Sequence, residues 1–246
     1  MILDNFPKVL WINLDQSTNR KRYMEYLLKQ YSIRNYRIKA VDATNPKYTE
    51  LSDICVKNDK LSLPENACTC SHLQAMKYFV DNISDNVAII MEDDVSFEFL
   101  ENIPYSWSEL MSHLPAKYDV IQLAITKFNG SVNSVLIKTD PSSKYYCSAA
   151  YLITKQAAQR ILNKYYNTQL AKYNLSIQNH ATADSVISST GATFSIPIFT
   201  YLTNDSTIHP RHISIHNKSK QQQCQLWRTT SVNFNKKTYF AMWQKN

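Results

Sequence analysis

The order of apolar and polar positions along the chain predicts strands and helices that alternate. Short apolar runs rich in β-branched residues are typical of buried strands. Such runs occupy residues 8–14, 36–41, 86–91, 118–125 and 193–199. Apolar residues at helical spacing predict helices with one buried face. This spacing is found over residues 20–31, 71–80, 104–114, 154–165 and 182–189. Because the two kinds of element alternate, the expected fold class is α/β.

Three further segments give a less regular pattern. Residues 47–66 are polar and predict a loop or lid. Residues 132–139 and 144–153 are strand-like, and the polar turn between them predicts that they pair as a hairpin. The chain from Ser206 onward is polar, so we expect it to be an appendage to the domain before it.

Glycine content limits the kinds of nucleotide site that the chain can build. The 246 residues include only two glycines, Gly130 and Gly191, which are far apart in the sequence. A P-loop needs two glycines five positions apart followed by Lys, and a dinucleotide-binding fingerprint needs three glycines within six positions. Neither motif is present, so any bound nucleotide must be held by other groups.

The formal net charge of +7 is confined to the end of the chain. Residues 1–205 carry 20 basic and 20 acidic side chains, whereas residues 206–246 carry seven basic side chains and no acidic one. We therefore divide the chain into a domain over residues 1–205 and a basic C-terminal segment over residues 206–246. Such a segment is typical of a diphosphate site, of a contact with nucleic acid or a membrane surface, or of a solvated, partly flexible tail.

Composition also indicates the class of protein and its compartment. Hydrophobic residues make up 44% of the chain, which is enough for a packed core, and five cysteines do not favour a disulfide scaffold. The longest apolar run, at residues 87–91, is too short to span a membrane. The first residues lack the apolar region of a signal peptide. We therefore expect a soluble, cytoplasmic protein.

Three consecutive acidic residues, Glu92, Asp93 and Asp94, directly follow the apolar run at residues 87–91. Carboxylates at the end of a buried strand are costly unless a cation neutralises them. This edge of an α/β sheet is where ligands bind, and Mg²⁺ or Mn²⁺ binds carboxylate oxygens and phosphates. In an extended backbone, Glu92 and Asp94 point to the same side. The pattern predicts a divalent metal site, with a solvated acidic turn as the alternative.

Seven short motifs follow one another in an informative order. They are Trp11-Ile12-Asn13-Leu14, Ala40-Val41-Asp42-Ala43, Cys68-Thr69-Cys70-Ser71-His72, Met91-Glu92-Asp93-Asp94-Val95, Tyr118-Asp119-Val120-Ile121, Ala149-Ala150-Tyr151-Leu152-Ile153-Thr154 and Ala183-Asp184. Together they resemble glycosyltransferase family 25, which includes bacterial lipooligosaccharide galactosyltransferases and procollagen galactosyltransferases. The resemblance covers most of residues 8–190. The chain departs from the family at Ala43, Ala67 and Ala149, where the family often has Gly.

The resemblance implies a single-domain α/β/α sandwich of the GT-A type with a mostly parallel, mixed central sheet. It also implies inverting transfer of a hexose, galactose or glucose, from a UDP-sugar to a hydroxyl of a glycan or protein, usually with Mn²⁺ (or Mg²⁺). Glu92 and Asp94 would hold the metal, which stabilises charge on the departing diphosphate. His209 is the expected third ligand, with His212 as the alternative.

Further residues are expected to act beside the metal ligands. An inverting transfer needs a general base for the acceptor hydroxyl, and we expect Asp184 in this role, with Asp119 as an alternative. Ser71 is expected to cap the helix that follows it. The donor is expected to contact strand ends, nearby helices and the basic segment, at Asn13, Leu14, Arg20, Asp42, Ser71, His72, Asp93, Lys218 and Lys220.

Two alternative interpretations remain open in the sequence. Cys68, Cys70 and His72 form a C-x-C-x-H pattern, but a structural zinc site needs four ligands and no second pair is present, so zinc is not predicted. The whole chain could instead be an inactive module of the same fold, or a basic protein whose C-terminal aromatic and basic residues contact nucleic acid or an anionic surface. The acidic triplet favours the enzyme, and no nucleic-acid partner is expected.

Overall fold

The computed structural model describes residues 3–43, 50–127, 133–139, 145–189, 191–202 and 213–243. Its strands are β1 (Val9–Asn13), β2 (Asn35–Lys39), β3 (Cys55–Val56), β4 (Val87–Glu92), β5 (Val95–Ser96), β6 (Val120–Ala124), β7 (Thr126–Lys127), β8 (Ile137–Thr139), β9 (Tyr145–Tyr146), β10 (Ala150–Thr154), β11 (Tyr166–Asn167), β12 (Lys172–Asn174) and β13 (Thr193–Tyr201). Its α-helices are α1 (Thr18–Gln30), α2 (Glu50–Ile54), α3 (Leu63–Asn82), α4 (Trp107–Ser112), α5 (Lys155–Tyr165), α6 (Ala183–Ile187), α7 (Ile213–Val232) and α8 (Lys236–Trp243). A 3-10 helix, Glu98–Asn102, follows β5.

The central sheet contains strands of both directions. Its order is β2-β1-β4-β10-β6-β13-β5, and β8 also pairs with β13. β1 is parallel to β2 and β4, and β13 is parallel to β6, whereas β10 lies antiparallel between β4 and β6. Strands β2, β1, β4, β6 and β13 therefore run in one direction. The predicted α/β class with a mostly parallel, mixed central sheet is confirmed.

Apolar side chains cover both faces of this sheet, because successive residues of a strand point to opposite sides. Val9 and Trp11 of β1 belong to a core that also contains side chains of α1, α4, α7 and α8. Leu10 and Ile12 belong to a second core with side chains of α3, α5 and α6. The sheet is thus the middle layer of an α/β/α sandwich. No helix in the described part of the chain is long and apolar enough to cross a membrane.

Helix α3 begins well before the position that the apolar pattern predicts. The Ser62 hydroxyl accepts a hydrogen bond from the backbone N–H of Glu65, and the Glu65 carboxylate accepts one from the backbone N–H of Ser62. This capping box starts the helix. The predicted loop at residues 47–66 therefore contains, in its described part, α2, β3 and the first residues of α3. The prediction that Ser71 caps a helix is wrong, because Ser71 lies in the middle of α3.

The hairpin predicted from residues 132–139 and 144–153 is also wrong for the described residues of the two runs. β8 pairs with β13, whereas β10 lies between β4 and β6. Residues 150–153 are apolar and buried. A central position in the sheet covers both faces of β10 with apolar side chains, which an isolated hairpin cannot do.

Helices α7 and α8 belong to the folded core. Trp227 is fully buried, and its Nε1 donates a hydrogen bond to the carbonyl oxygen of Pro197 in β13 over 2.6 Å. Three aromatic side chains of α8 pack around the Tyr105 ring: Tyr239, Phe240 and Trp243. Residues 213–243 are therefore not a solvated tail. The domain boundary between residues 205 and 206 stays a prediction, since residues 203–212 lie outside the described part of the chain.

Candidate active site

The side chains that end β1 and begin α1 meet the acidic motif, defined here as Glu92, Asp93 and Asp94. β1 and β4 are parallel neighbours, so their carboxyl ends lie side by side. The Asn13 side chain donates to Asp93 Oδ2 over 2.6 Å, and Arg20 donates to Asp93 Oδ1 over 3.0 Å. Burial raises the pKa of Asp93, and the bonds from Asn13 and Arg20 oppose that rise. Asp93 therefore fixes the motif to β1 and α1.

Arg37 is a second arginine at this edge, and it is not among the residues that the sequence predicts for the site. It lies on β2, the other parallel neighbour of β1. Its Nε donates to Asn13 Oδ1 over 2.9 Å, and its second guanidinium nitrogen donates to Asp15 over 2.6 Å. Leu14 and Asp42 follow β1 and β2 and are half-buried at the same edge. The sequence shows only that Arg37 lies in a strand-like run. It does not show that this strand pairs with β1, so it gives no reason to place Arg37 at the site.

One carboxylate oxygen of Asp94, Oδ1, is buried without a hydrogen bond to any of the described residues. The other oxygen, Oδ2, lies 3.8 Å from the Arg20 guanidinium. Burial and then the charge of Glu92 raise the pKa of Asp94 to about 8, although Arg20 acts in the opposite direction. A buried carboxylate without a full set of partners is costly, and a cation at this position would remove that cost.

Glu92 is directed towards α3 and the residues before β10. The Ser148 hydroxyl donates to Glu92 Oε1 over 2.6 Å, and His72 Nε2 lies 3.3 Å from the same oxygen. Burial would raise the pKa of Glu92, but His72 and Ser148 hold it below its usual value. His72 is itself fully buried, and its Nδ1 lies 3.1 Å from the Tyr151 hydroxyl. Glu92 is therefore an ionised carboxylate held in a defined orientation.

The predicted metal ligands are partly brought together. Glu92 and Asp94 interact electrostatically, since the charge of Glu92 contributes to the raised pKa of Asp94. The unpartnered oxygen of Asp94 suits a hard divalent cation such as Mn²⁺ or Mg²⁺. His209 and its alternative His212 lie outside the described residues. The assignment of the three ligands stays a prediction.

Asp184, the expected general base, reaches the same region from α6. Its Oδ1 accepts a hydrogen bond from the backbone N–H of Cys147 over 2.5 Å. Burial raises the pKa of Asp184, the Cys147 N–H lowers it, and the charge of Glu92 raises it again. Asp184 is therefore close enough to the acidic motif to interact electrostatically with Glu92.

Cys147 has a strained backbone at the centre of this region. Its φ of 119° is a conformation that residues other than Gly rarely adopt. Burial and the charges of Glu92 and Asp184 raise the pKa of its thiol. Strained backbone is common at functional sites, where the surrounding structure enforces it. Cys147 and Ser148 precede a recognisable strand motif, and nothing in their spacing marks them in the sequence.

Asp119 lies at the opposite edge of the sheet. It precedes β6, forms an ion pair with Arg160 and accepts a hydrogen bond from the backbone N–H of Ala192. Gly191 next to it has a φ of 113°, and a Cβ there would lie 1.8 Å from Asp119 Oδ2. The structure does not support the alternative assignment of the general base to Asp119, because this residue lies away from the acidic motif and its carboxylate is bound to Arg160 and to the turn at Gly191.

Ser71 uses its hydroxyl to join α3 to the end of β2. The oxygen accepts a hydrogen bond from the backbone N–H of Val41 over 2.9 Å, and the hydroxyl donates to the carbonyl oxygen of Ala67 over 2.7 Å. The side chain is buried. Both hydrogen-bonding functions thus serve the fold, and a contact of Ser71 with a donor stays a prediction.

The first half of α7 lies beside the acidic motif. The backbone N–H of Leu202, which follows β13, donates to the carbonyl oxygen of Asp94 over 2.7 Å. Lys220 of α7 lies 3.5 Å from the carbonyl oxygen of Tyr201 and forms a 2.9 Å ion pair with Glu98. Lys218, two residues earlier in α7, is exposed. Both predicted lysines are therefore on a helix that borders the site, and their contact with a diphosphate stays a prediction.

The chain matches the sequence model of a known family. The sequence model described as "Glycosyltransferase family 25 (LPS biosynthesis protein)" matches residues 6–177. The matched range contains β1, α1, the acidic motif, Cys147 and Ser148, and it ends before Asp184. No curated protein matches the chain significantly.

The chain also has similarity to solved structures, but with low sequence identity and low TM-scores. HddC from Yersinia pseudotuberculosis complexed with GMP-PN has a TM-score of 0.41 and 13% identity, covering 89% of this chain and 100% of that one. A glycosyltransferase involved in the glycosylation of the major capsid of PBCV-1 has a TM-score of 0.34 and 7% identity, covering 87% and 98%. A197 from STIV has a TM-score of 0.42 and 9% identity, covering 79% and 84%. At these TM-scores the similarity assigns no activity to this chain.

Proposed function

The chain belongs to glycosyltransferase family 25, and from this premise we propose that it is an inverting, metal-dependent enzyme that transfers a hexose from a UDP-sugar to a hydroxyl of a glycan or protein. The observation that carries the proposal is the buried, unpartnered Oδ1 of Asp94. It lies directly after β4, at the carboxyl edge of the sheet, where α/β folds bind their ligands. The α/β/α sandwich agrees with the GT-A type that the family implies.

The acidic motif would hold the metal through Asp94 and Glu92, with His209 as the predicted third ligand. Carboxylate oxygens and an imidazole are suitable ligands for Mn²⁺, and the carboxylates also suit Mg²⁺. The bound ion would stabilise the negative charge that develops on the diphosphate of UDP as the sugar leaves. This assignment also explains why a chain with two glycines needs no glycine-rich phosphate loop.

The residues around the motif position it and add positive charge. Asn13 and Arg20 fix Asp93, which limits the movement of Asp94 next to it. Arg20 also places its guanidinium 3.8 Å from Asp94, where it can contact a phosphate oxygen of the donor. We assign Lys218 and Lys220, on the bordering helix α7, to the other side of the diphosphate.

Asp184 is the group that we assign as general base. Burial raises the pKa of Asp184 towards neutral pH. A general base works best when its pKa lies near the pH of the reaction. The Cys147 N–H holds Oδ1, so we assign Oδ2 to the acceptor. In this step the acceptor hydroxyl gives its proton to Asp184 while its oxygen forms a bond to the anomeric carbon. The bond from that carbon to the diphosphate breaks, and UDP leaves.

The buried positions of C-terminal aromatic residues argue against the nucleic-acid alternative. Of the five aromatic residues that this alternative relies on, Trp227, Tyr239, Phe240 and Trp243 are buried in the core, and Phe234 is half-buried and packed against it. The four buried rings cannot stack on bases, and such stacking was the main support for that interpretation. The expected cytoplasmic location stays a prediction.

A panel of UDP-sugars tests the proposal. UDP release is measured for UDP-galactose, UDP-glucose and UDP-N-acetylglucosamine with a mixture of glycan and hydroxyl-bearing peptide acceptors. We expect turnover with a hexose donor, galactose first, that stops when EDTA removes the metal and returns when Mn²⁺ is added. Undiminished turnover in EDTA would exclude the metal, and absence of turnover with every UDP-sugar, with or without Mn²⁺, would exclude the donor class.

A further inference from the structure

Three side chains of different chemistry converge beside the acidic motif. The Cys68 thiol, a ring nitrogen of His72 and a carboxylate oxygen of Glu92 all lie within 4.8 Å of one another. We call these three residues the Cys68 cluster. Cys68 and His72 are four residues apart in α3, so they project from the same side of the helix. Glu92 comes from the end of β4 and completes the group.

We propose that the Cys68 cluster binds one transition-metal ion of the Zn²⁺ type, next to the Mn²⁺ or Mg²⁺ ion assigned to Asp94 and Glu92, with Glu92 as a ligand shared by the two ions. Thiolate, imidazole and carboxylate are the three ligand types that zinc uses in proteins. Mn²⁺ and Mg²⁺ instead favour sites made of oxygen ligands. A thiol among the ligands therefore selects a softer ion. Three protein ligands leave a fourth position for water, as in zinc sites that are not closed.

The neighbours of the cluster orient its ligands as a metal site requires. His72 Nδ1 lies 3.1 Å from the Tyr151 hydroxyl, which leaves Nε2 facing Glu92. The Ser148 hydroxyl donates to Glu92 Oε1 over 2.6 Å. Imidazole and carboxylate ligands of metals are held by such hydrogen bonds from a second layer of residues. Because Tyr151 and His72 are almost fully buried, this arrangement is fixed by the core.

Charge around the thiol also favours a cation. Burial, followed by the charges of four carboxylates, raises the pKa of the Cys68 thiol well above its ordinary value; the carboxylates are those of Glu92, Asp184, Asp94 and Glu65. A divalent ion between Cys68, His72 and Glu92 would offset this negative charge. On binding, the thiol releases its proton to solvent, and the sulfur ligates the ion as a thiolate. No electron transfer is involved.

The structure also explains why the spacing in the sequence did not predict this site. Cys70 belongs to the C-x-C-x-H pattern, but it is fully buried and its thiol interacts with that of Cys55 instead. The third ligand is Glu92, which is twenty residues further along the chain and on a different element. The C-x-C-x-H pattern thus contains two of the proposed ligands, Cys68 and His72. The third, Glu92, is brought to them only by the fold.

Titration with Co²⁺ tests the proposal on the full chain, because a thiolate ligand gives Co²⁺ a charge-transfer absorption in the near ultraviolet. Protein freed of metal by a chelator is titrated with Co²⁺, and Zn²⁺ is then added in competition. We expect the absorption to saturate at one equivalent and to disappear with Zn²⁺. Cys68→Ser should abolish it, and His72→Ala should weaken Co²⁺ binding at least ~10-fold.

Two variants separate this site from other metal binding. Cys224→Ser is the matched control, because it makes the same substitution on α7, and it should keep the absorption. Asp94→Asn should also keep the absorption, although it removes one of the two carboxylates assigned to the other metal. Wild-type protein without the absorption would overturn the proposal, as would Cys68→Ser that retains it. Because the readout is a spectrum, either result is independent of whether the chain transfers sugar.

Discussion

The side chains of Asn13 and Asp93 are joined by a hydrogen bond of 2.6 Å that connects the end of β1 to the end of β4. Asn13 is 1% exposed and Asp93 is 7% exposed, so the bond is made away from water. Asn13 also accepts a hydrogen bond from Arg37. One amide thus links an arginine on β2 to a carboxylate of the acidic motif, and the geometry of the site depends on it.

Asn13→Ala should lower the free energy of unfolding by about 1–3 kcal/mol, because the buried carboxylate of Asp93 loses a donor. Urea denaturation measures the change. Asn163→Ala is the control, since Asn163 is exposed on α5, and it should change stability by no more than ~0.5 kcal/mol. Equal stabilities of Asn13→Ala and wild type would show that the amide is dispensable.

Trp227→Ala should destabilise the protein by about 3–5 kcal/mol, because a large side chain leaves the core and the bond to Pro197 is lost. Val232→Ala, on the same helix but at a side chain that is 85% exposed, is the control and should have little effect. Both variants are compared by urea denaturation. If Trp227→Ala were as stable as Val232→Ala, α7 would not be part of the core.

Asp94 should make the stability of the metal-free protein fall as the pH rises. Burial raises its pKa from 3.8 to about 8, so between these values the folded protein holds a proton that the unfolded chain releases. The folded state is therefore favoured at the acidic end of this window, and the advantage is lost towards pH 8, at up to ~1.4 kcal/mol per pH unit.

Asp94→Asn isolates this effect, because the amide resembles the protonated carboxyl group. In EDTA, the variant should show a flatter dependence of unfolding free energy on pH and should be more stable than wild type near pH 8. Asp59→Asn, at an exposed position, is the control and should follow wild type. A dependence that is equally steep in Asp94→Asn and wild type would contradict the assignment to Asp94.

Asp184→Asn should keep the binding of UDP but lose transfer. The amide still accepts the hydrogen bond from the Cys147 N–H, so the fold around it is retained, but it cannot take a proton from the acceptor. We expect a loss of about 10²–10⁴-fold in kcat, the usual contribution of a general base. Calorimetric binding of UDP with Mn²⁺ is measured alongside. Transfer at the wild-type rate would exclude Asp184 as the base.

The fold could be predicted largely from the sequence, because apolar runs and helical spacing report burial directly. β1, β4, β6 and α5 lie close to where the pattern placed them. The start of α3 was missed although the capping box of Ser62 and Glu65 is visible in the sequence. The position of β10 could not be predicted, since an apolar run does not specify which strands it pairs with.

The site was harder to predict, because its geometry depends on contacts between distant parts of the chain. The acidic motif is continuous in sequence and was recognised. The environment of Glu92 could not be recognised in the sequence, because Ser148 is 56 residues away and His72 is 20 residues away. The sequence suggested aromatic residues for nucleic-acid binding at Trp227 and its neighbours, whereas the structure uses them in the core.

Thermal unfolding with UDP and Mn²⁺ tests the central claim most directly, because it needs neither the acceptor nor the identity of the sugar. Melting temperatures are measured with UDP, with Mn²⁺, with both and with neither, for wild type and for Asp94→Asn. At ligand concentrations ~100 times Kd, we expect wild type to gain about 5–10 °C only when both are present. Asp94→Asn should gain little from the pair. An unchanged melting temperature of wild type with both ligands, or an equal gain in Asp94→Asn, would contradict the account.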